Sequence, residues 1–168
     1  MNDLAERFAI DGYSFPIAVL SSAEAAAAAA QYPLFQAKAR EVFGAEQRFK
    51  AHLLVRWLDT LVHDPRVLDP VSEILGPDLL LWSSDFFVKQ AHDPGFVSFH
   101  QDTTYAGLEP FDGIVNAWIA LTPSRKANGC LRVVAGTHKL GQLAHTNTHA
   151  ANNMLFFGQE AQLDIDPA

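Results

Sequence analysis

Cysteine is nearly absent: Cys130 stands alone, so no disulfide can form within the chain. That fits a reducing compartment, and the cytoplasm is the expected location. Basic residues are scarce as well. Twelve Lys and Arg against 19 Asp and Glu leave a net charge of −7, with no run of cations. A surface of that sign repels nucleic-acid backbones and anionic membrane faces, so neither is expected as a partner. No apolar run approaches the ~20 residues that span a bilayer. The alanines at 25–30 read as helix, and the start Met-Asn-Asp-Leu-Ala-Glu lacks the basic and apolar regions of a secretion signal. Also missing are a Gly-rich phosphate loop, a Gly-x-Ser-x-Gly elbow, a Cys-x-x-Cys pair and His-Glu-x-x-His.

What remains is an ordinary globular composition, 49% hydrophobic and 18% charged over 168 residues, which suits one domain with a real core. The first part, 1–76, reads as mainly helical. A short helix over 2–11 should end at Gly12. Ser21 and Glu24 form a capping box that opens a helix through the alanines, with Pro33 expected to break or kink it before a second stretch reaching Phe43 and Gly44. Phe49, Leu53, Trp57 and Leu61, spaced by four, predict one amphipathic helix over 45–62. His52 and His63 on it read as surface or capping residues. Asp64-Pro65 should stop it, Asp69-Pro70 should start the next helix, and Gly76 should end that one.

Residues 77–168 change texture. Leu79–Val88, Phe96–Gln101, Ile114–Leu121 and Leu131–Val134 are strand-like, with Asn128-Gly129 as a tight turn, while 144–153 reads as loop. Helices followed by strands predict an α+β fold.

The chemistry concentrates in Phe99-His100-Gln101-Asp102-Thr103-Thr104-Tyr105. On a strand, His100 and Asp102 share a face. An imidazole and a carboxylate so placed are two of the three ligands of a facial triad, which leaves positions on Fe(II) open for oxygen and a chelating co-substrate. The same pair also reads as a plain hydrogen-bonded His–Asp at a strand end. Asn116 and Trp118 share a face, and Trp118 by itself reads first as a core residue. Lys89 closes its segment, either as a solvated charge or as a cation for an anionic co-substrate.

Taken together, Asp11-Gly12-Tyr13, Leu75-Gly76-Pro77-Asp78, Phe86-Phe87-Val88-Lys89, Phe99–Tyr105, Ala117–Leu121, Asn128–Val134, Gly136-Thr137-His138 and the stretch 155–160 resemble the phytanoyl-CoA dioxygenase family of Fe(II)- and 2-oxoglutarate-dependent oxygenases. The resemblance implies a double-stranded β-helix (a cupin-like jelly-roll) behind N-terminal helices. It implies His100 and Asp102 as iron ligands, and Lys89, Asn116 and Trp118 as residues of the 2-oxoglutarate pocket. It implies O2 and a small organic substrate as partners, and hydroxylation coupled to decarboxylation of 2-oxoglutarate to succinate. His138 matches a loop histidine that is not a ligand. A carboxylate at Asp102, rather than a small residue, points away from halogenation.

The departure lies at the end. The family's second histidine ligand and the arginine that grips 2-oxoglutarate have no match in these residues, and Leu163–Ala168 reads as a sequence interrupted before the last strands. His145 and His149 lie in the wrong segment to substitute. These 168 residues are therefore expected to turn over slowly or not at all. A non-catalytic binding or assembly module is the competing reading, and a zinc hydrolase built on His100 and Asp102 is a third.

Overall fold

The computed structural model describes residues 3–148, 150–155 and 159–163. Two units divide the chain. One comprises Phe15–Val88 and Asn116–Leu131, the other Met1–Ser14, Lys89–Val115 and Arg132–Ala168.

The first unit is organised by α2 (Ser22–Phe43). Its N-terminus carries the predicted capping box: Ser21 Oγ accepts from the Glu24 N–H at 3.2 Å, and Glu24 Oε2 accepts from the Ser21 N–H at 2.7 Å. Gly44 ends it in the left-handed region at φ 72°. Pro33 lies inside and does not break it. A proline removes one helical hydrogen bond. Alanine propensity on its N-terminal side and the buried Phe35, Gln36 and Ala39 on its C-terminal side hold the two halves in one helix.

The helix expected over 45–62 is not continuous. A 3-10 turn, Ala51–Leu53, is followed by α3 (Arg56–Val62). Lys50 takes a left-handed conformation, φ 51°. The backbone of 48–52 is turned to a neighbouring segment: Phe86 N–H donates to the Arg48 carbonyl at 3.2 Å and Ala51 N–H to the Ser84 carbonyl at 3.3 Å. The predicted apolar stripe fails with the helix, since Phe49 and Leu53 are 57% and 72% exposed. Asp64 caps α4 (Pro65–Leu75), so the start is one proline earlier than expected and Pro70 sits inside it; Gly76 ends it as predicted.

Phe35, Ala39, Ala51 and Leu58 form the core, with Trp57, Leu61 and Phe86 packed on it. Phe86 meets three rings, those of Tyr32, Phe35 and Trp57, at centroid distances of 4.9, 5.9 and 6.1 Å. His52 is buried rather than a surface residue: its Nδ1 lies 2.7 Å from Ser84 Oγ, which also accepts from the His52 N–H at 3.1 Å.

In the second unit, α1 (Asp3–Asp11) ends as expected at Gly12, φ 81°. The Asp11 carbonyl accepts from the Gly136 N–H at 2.7 Å, and His138 Nε2–H donates to the Ala9 carbonyl at 3.2 Å. A short helix, α5 (Thr103–Ala106), follows Asp102. The only strands among the described residues are β1 (His145–Asn147) and β2 (Gln159–Ala161), antiparallel with His145 opposite Ala161. β1 falls where a loop was expected.

Phe96–Gln101 is the one predicted strand with sheet-like bonding. Phe96 bridges Asn153 in parallel, and the Phe99 carbonyl accepts from the Ala161 N–H at 2.8 Å. Leu79–Val88, Ile114–Leu121 and Leu131–Val134 form no strands among the described residues. Helices and a small sheet are thus present. The double-stranded β-helix is not displayed among the described residues, where β1 and β2 are the only strands. Residues 156–158 of the resembling stretch 155–160, His149 and the tail 164–168 lie outside the described residues.

Candidate functional site

His100 and Asp102 do not alternate along a strand. Asp102 has helical dihedrals, φ −62° and ψ −29°, as the residue that opens α5. The turn brings the side chains into contact: His100 Nε2 lies 2.8 Å from Asp102 Oδ1. The imidazole is largely buried and the carboxylate more than half exposed. On its other side, Nδ1–H donates to the Ser98 carbonyl at 2.8 Å, and the Tyr105 ring stands edge-on to it at 5.7 Å.

A carbonyl can only accept, so Nδ1 carries a proton. The Asp102 carboxylate accepts on the Nε2 side, so both ring nitrogens face acceptors, an arrangement that favours the protonated ring. Burial disfavours that charge, but the bonds to Asp102 and Ser98 and the charge of Asp102 outweigh it. The His100 pKa is therefore raised above its ordinary 6.5.

The same geometry suits a metal ion. Two donors about 2.1 Å from one ion at right angles lie about 3 Å apart, close to the separation seen here. Ligating histidines usually give their second N–H to a carbonyl or carboxylate, which fixes the tautomer that frees the other nitrogen. Ser98 does this for His100. The donors therefore fit a metal, two at a time. Among the described residues there is no group of three or more His, Cys, Asp or Glu placed to hold one. His145 lies nearby but is engaged. Its Nδ1–H donates to the Leu143 carbonyl at 3.0 Å, and its Nε2 lone pair accepts from the Gln101 N–H at 3.0 Å.

His100 opens on a cleft of about 180 Å³, whose walls include Phe99, Val133, Val134, Leu143 and Leu163. Arg132 and His138 also border it, and Arg132 lies over the Phe99 ring at 5.6 Å. Lys89 is exposed and does not border this cleft. Asn116 and Trp118 belong to the other unit, where both are exposed. Sequence reasoning found the pair but not its support. Ser98, Gln101, Thr103 and Gln142 are ordinary polar residues, and only their position beside His-x-Asp marks three of them.

Comparison with known proteins adds a family. The profile described as Phytanoyl-CoA dioxygenase (PhyH) matches residues 10–167. "Phytanoyl-CoA dioxygenase domain-containing protein 1" of Mus musculus is 33% identical over 82 residues, 49% of this chain and 28% of that protein. Its Rattus norvegicus counterpart is 29% identical over 62% of this chain and 37% of that protein. "Phytanoyl-CoA dioxygenase, peroxisomal" of Homo sapiens is 34% identical over 45% and 23%. The matched stretches thus span well under half of these relatives. No solved structure matches. No helix among the described residues is long and apolar enough to cross a membrane.

Proposed function

The chain belongs to the phytanoyl-CoA dioxygenase family, and from that premise we propose that it is an Fe(II)- and 2-oxoglutarate-dependent oxygenase acting on a small organic substrate. The observation that carries the proposal is the His100–Asp102 pair: two donor atoms 2.8 Å apart, with the imidazole's other nitrogen held by Ser98.

Bound Fe(II), with 2-oxoglutarate and O2, supplies oxidative decarboxylation to succinate and hydroxylation of a C–H bond. The chain's residues supply the setting. Nε2 of His100 gives up its proton and, with the Asp102 carboxylate, offers adjacent donors, while the Ser98 carbonyl retains the proton on Nδ1. Apolar side chains make up much of the cleft wall on the imidazole side. A cleft of about 180 Å³ is smaller than the roughly 300–1,000 Å³ of a pocket that holds a whole drug-sized ligand. It therefore suits the reacting end of a molecule. Resemblance alone supports Lys89, Asn116 and Trp118 in holding 2-oxoglutarate, and Asp102 supports hydroxylation over halogenation.

One observation favours a second reading, a non-catalytic binding module: no third metal-ligating side chain accompanies the pair among the described residues. Succinate formation separates the two. With Fe(II), 2-oxoglutarate and O2, the oxygenase reading predicts slow succinate production that needs iron and is lost in His100→Ala and Asp102→Ala. Production equal to that of the iron-free control, from folded protein, supports the binding module instead.

A further inference from the structure

Gln101 lies between the two donors, and its backbone N–H and side-chain amide are bound to the segment 141–145. Its backbone N–H donates to His145 Nε2 at 3.0 Å. Its side-chain Nε2–H donates to the Gly141 carbonyl at 2.8 Å, and its Oε1 accepts from the Leu143 N–H at 2.7 Å. The amide thereby makes the two-way bonding that a neighbouring strand would make. Beyond Asp102 the pattern continues. Thr103 Oγ1–H donates to Gln142 Oε1 at 2.6 Å, and Gln142 Nε2–H donates to Thr104 Oγ1 at 2.8 Å.

His145 ties this segment to the sheet. It opens β1, its backbone pairs opposite Ala161, and the Ala161 N–H in turn donates to the Phe99 carbonyl. Gln101 between the donors and Thr103 and Thr104 after Asp102 are therefore held by the 141–145 segment, and Phe99 before His100 by Ala161, which pairs with His145. The two donors sit on a turn, where no ladder fixes their relative angle. A rotation at Gln101 would swing Asp102 away from His100; the Thr104 N–H bond to the Gln101 carbonyl and the bonds from 141–145 together oppose it.

We propose that the 141–145 segment is a positioning clamp for the His100–Asp102 pair, with His145 and Gln142 as positioning residues that set the angle between the two donors. This rests on the pair being a metal site, as argued above. It assigns His145 a supporting role, because Gln101 already occupies its free lone pair.

The test uses Co(II) alone, titrated into the wild-type chain, His145→Leu, Gln142→Ala, His145→Gln and His100→Ala, with metal binding read by visible absorption. Histidine-ring 15N NMR of the metal-free proteins reports the His100 and His145 tautomers. Loss of a group bonded directly to a metal ligand commonly weakens binding roughly 10–100-fold; His145 and Gln142 stand one residue further out, so a loss at the lower end, about tenfold, is expected for His145→Leu and Gln142→Ala. His145→Gln, which restores an acceptor for the Gln101 N–H, should recover most of it. The wild-type spectrum should show His145 protonated on Nδ1 alone, and Gln142→Ala should alter the His100 ring signals. If His145→Leu does not fold, Gln142→Ala and His145→Gln carry the test. Unchanged Co(II) affinity in folded Gln142→Ala and His145→Leu, with binding lost in His100→Ala, overturns the clamp and leaves the metal site standing. Failure of His145→Gln to recover affinity, with tautomers unaltered, also overturns it. No Co(II) binding by the wild type, or equal binding by His100→Ala, overturns the metal site and the clamp with it.

Discussion

His100 and Asp102 show how much one residue spacing conveys. His-x-Asp announced a contact, and the contact is there, but by a different route. A strand would have set the two side chains in parallel, whereas the turn at Asp102 folds one onto the other. Period-two reasoning could not see that, because the backbone changes conformation inside the tripeptide. Gly12 was legible as a helix stop from its position alone. Its second role was not. A Cβ built there would lie 2.4 Å from His138 Nδ1, and φ is +81°. Gly12→Ala should therefore destabilise the chain by about 1–3 kcal/mol, from backbone strain and the clash together. Urea unfolding checks it, and a change within error would mean that the His138 ring moves aside at no cost.

Among the elements, helix ends were the most legible and interiors the least. Ser21 with Glu24, Gly44 and Gly76 act through local chemistry, so sequence sufficed. Pro33 was misjudged because alanine propensity and the buried Phe35, Gln36 and Ala39 hold α2 against a local penalty, and Pro70 because Asp64 and Pro65 already start α4 before it. The 45–62 helix failed for the opposite reason: non-local bonds from Ser84 and Phe86 took the backbone groups a helix needs. Phe86 was read as a strand residue and is instead an aromatic anchor of the helical core. Phe86→Ala should cost about 3 kcal/mol, the lower end for truncating a core aromatic, since this ring is only partly buried. A shift of the urea midpoint with unchanged slope would support this, and a loss below about 1 kcal/mol would contradict it.

α2 and α4 carry a second prediction. The Ser21 hydroxyl, then its backbone N–H and Arg66, hold the Glu24 carboxyl at about 2 against an ordinary 4.5. Arg66 holds Asp64 at about 2 against 3.8, through 3.0 and 2.8 Å side-chain bonds and its own N–H. A carboxyl depressed on folding adds stability that is complete above its unfolded pKa and fades as pH falls to its folded one. The thermal midpoint should thus decline between about pH 4.5 and 2. Arg66→Ala should flatten that decline, and identical pH profiles for the two proteins would remove the assignment.

For the whole molecule, family membership was legible because matching segments recur in order along the chain. The sheet was not. Of the predicted strands, only Phe96–Gln101 finds sheet-like partners among the described residues, through Asn153 and Ala161. Strands depend on distant partners, and composition reports only that a segment would accept one. The central claim remains that His100 and Asp102 hold the iron of an oxygenase. Its most direct test is an anaerobic titration with Fe(II) and then 2-oxoglutarate, followed by visible absorption. The account predicts a weak charge-transfer band that is absent in His100→Ala and in Asp102→Ala. A folded wild-type chain that develops no band, or a band that survives both substitutions, would contradict it.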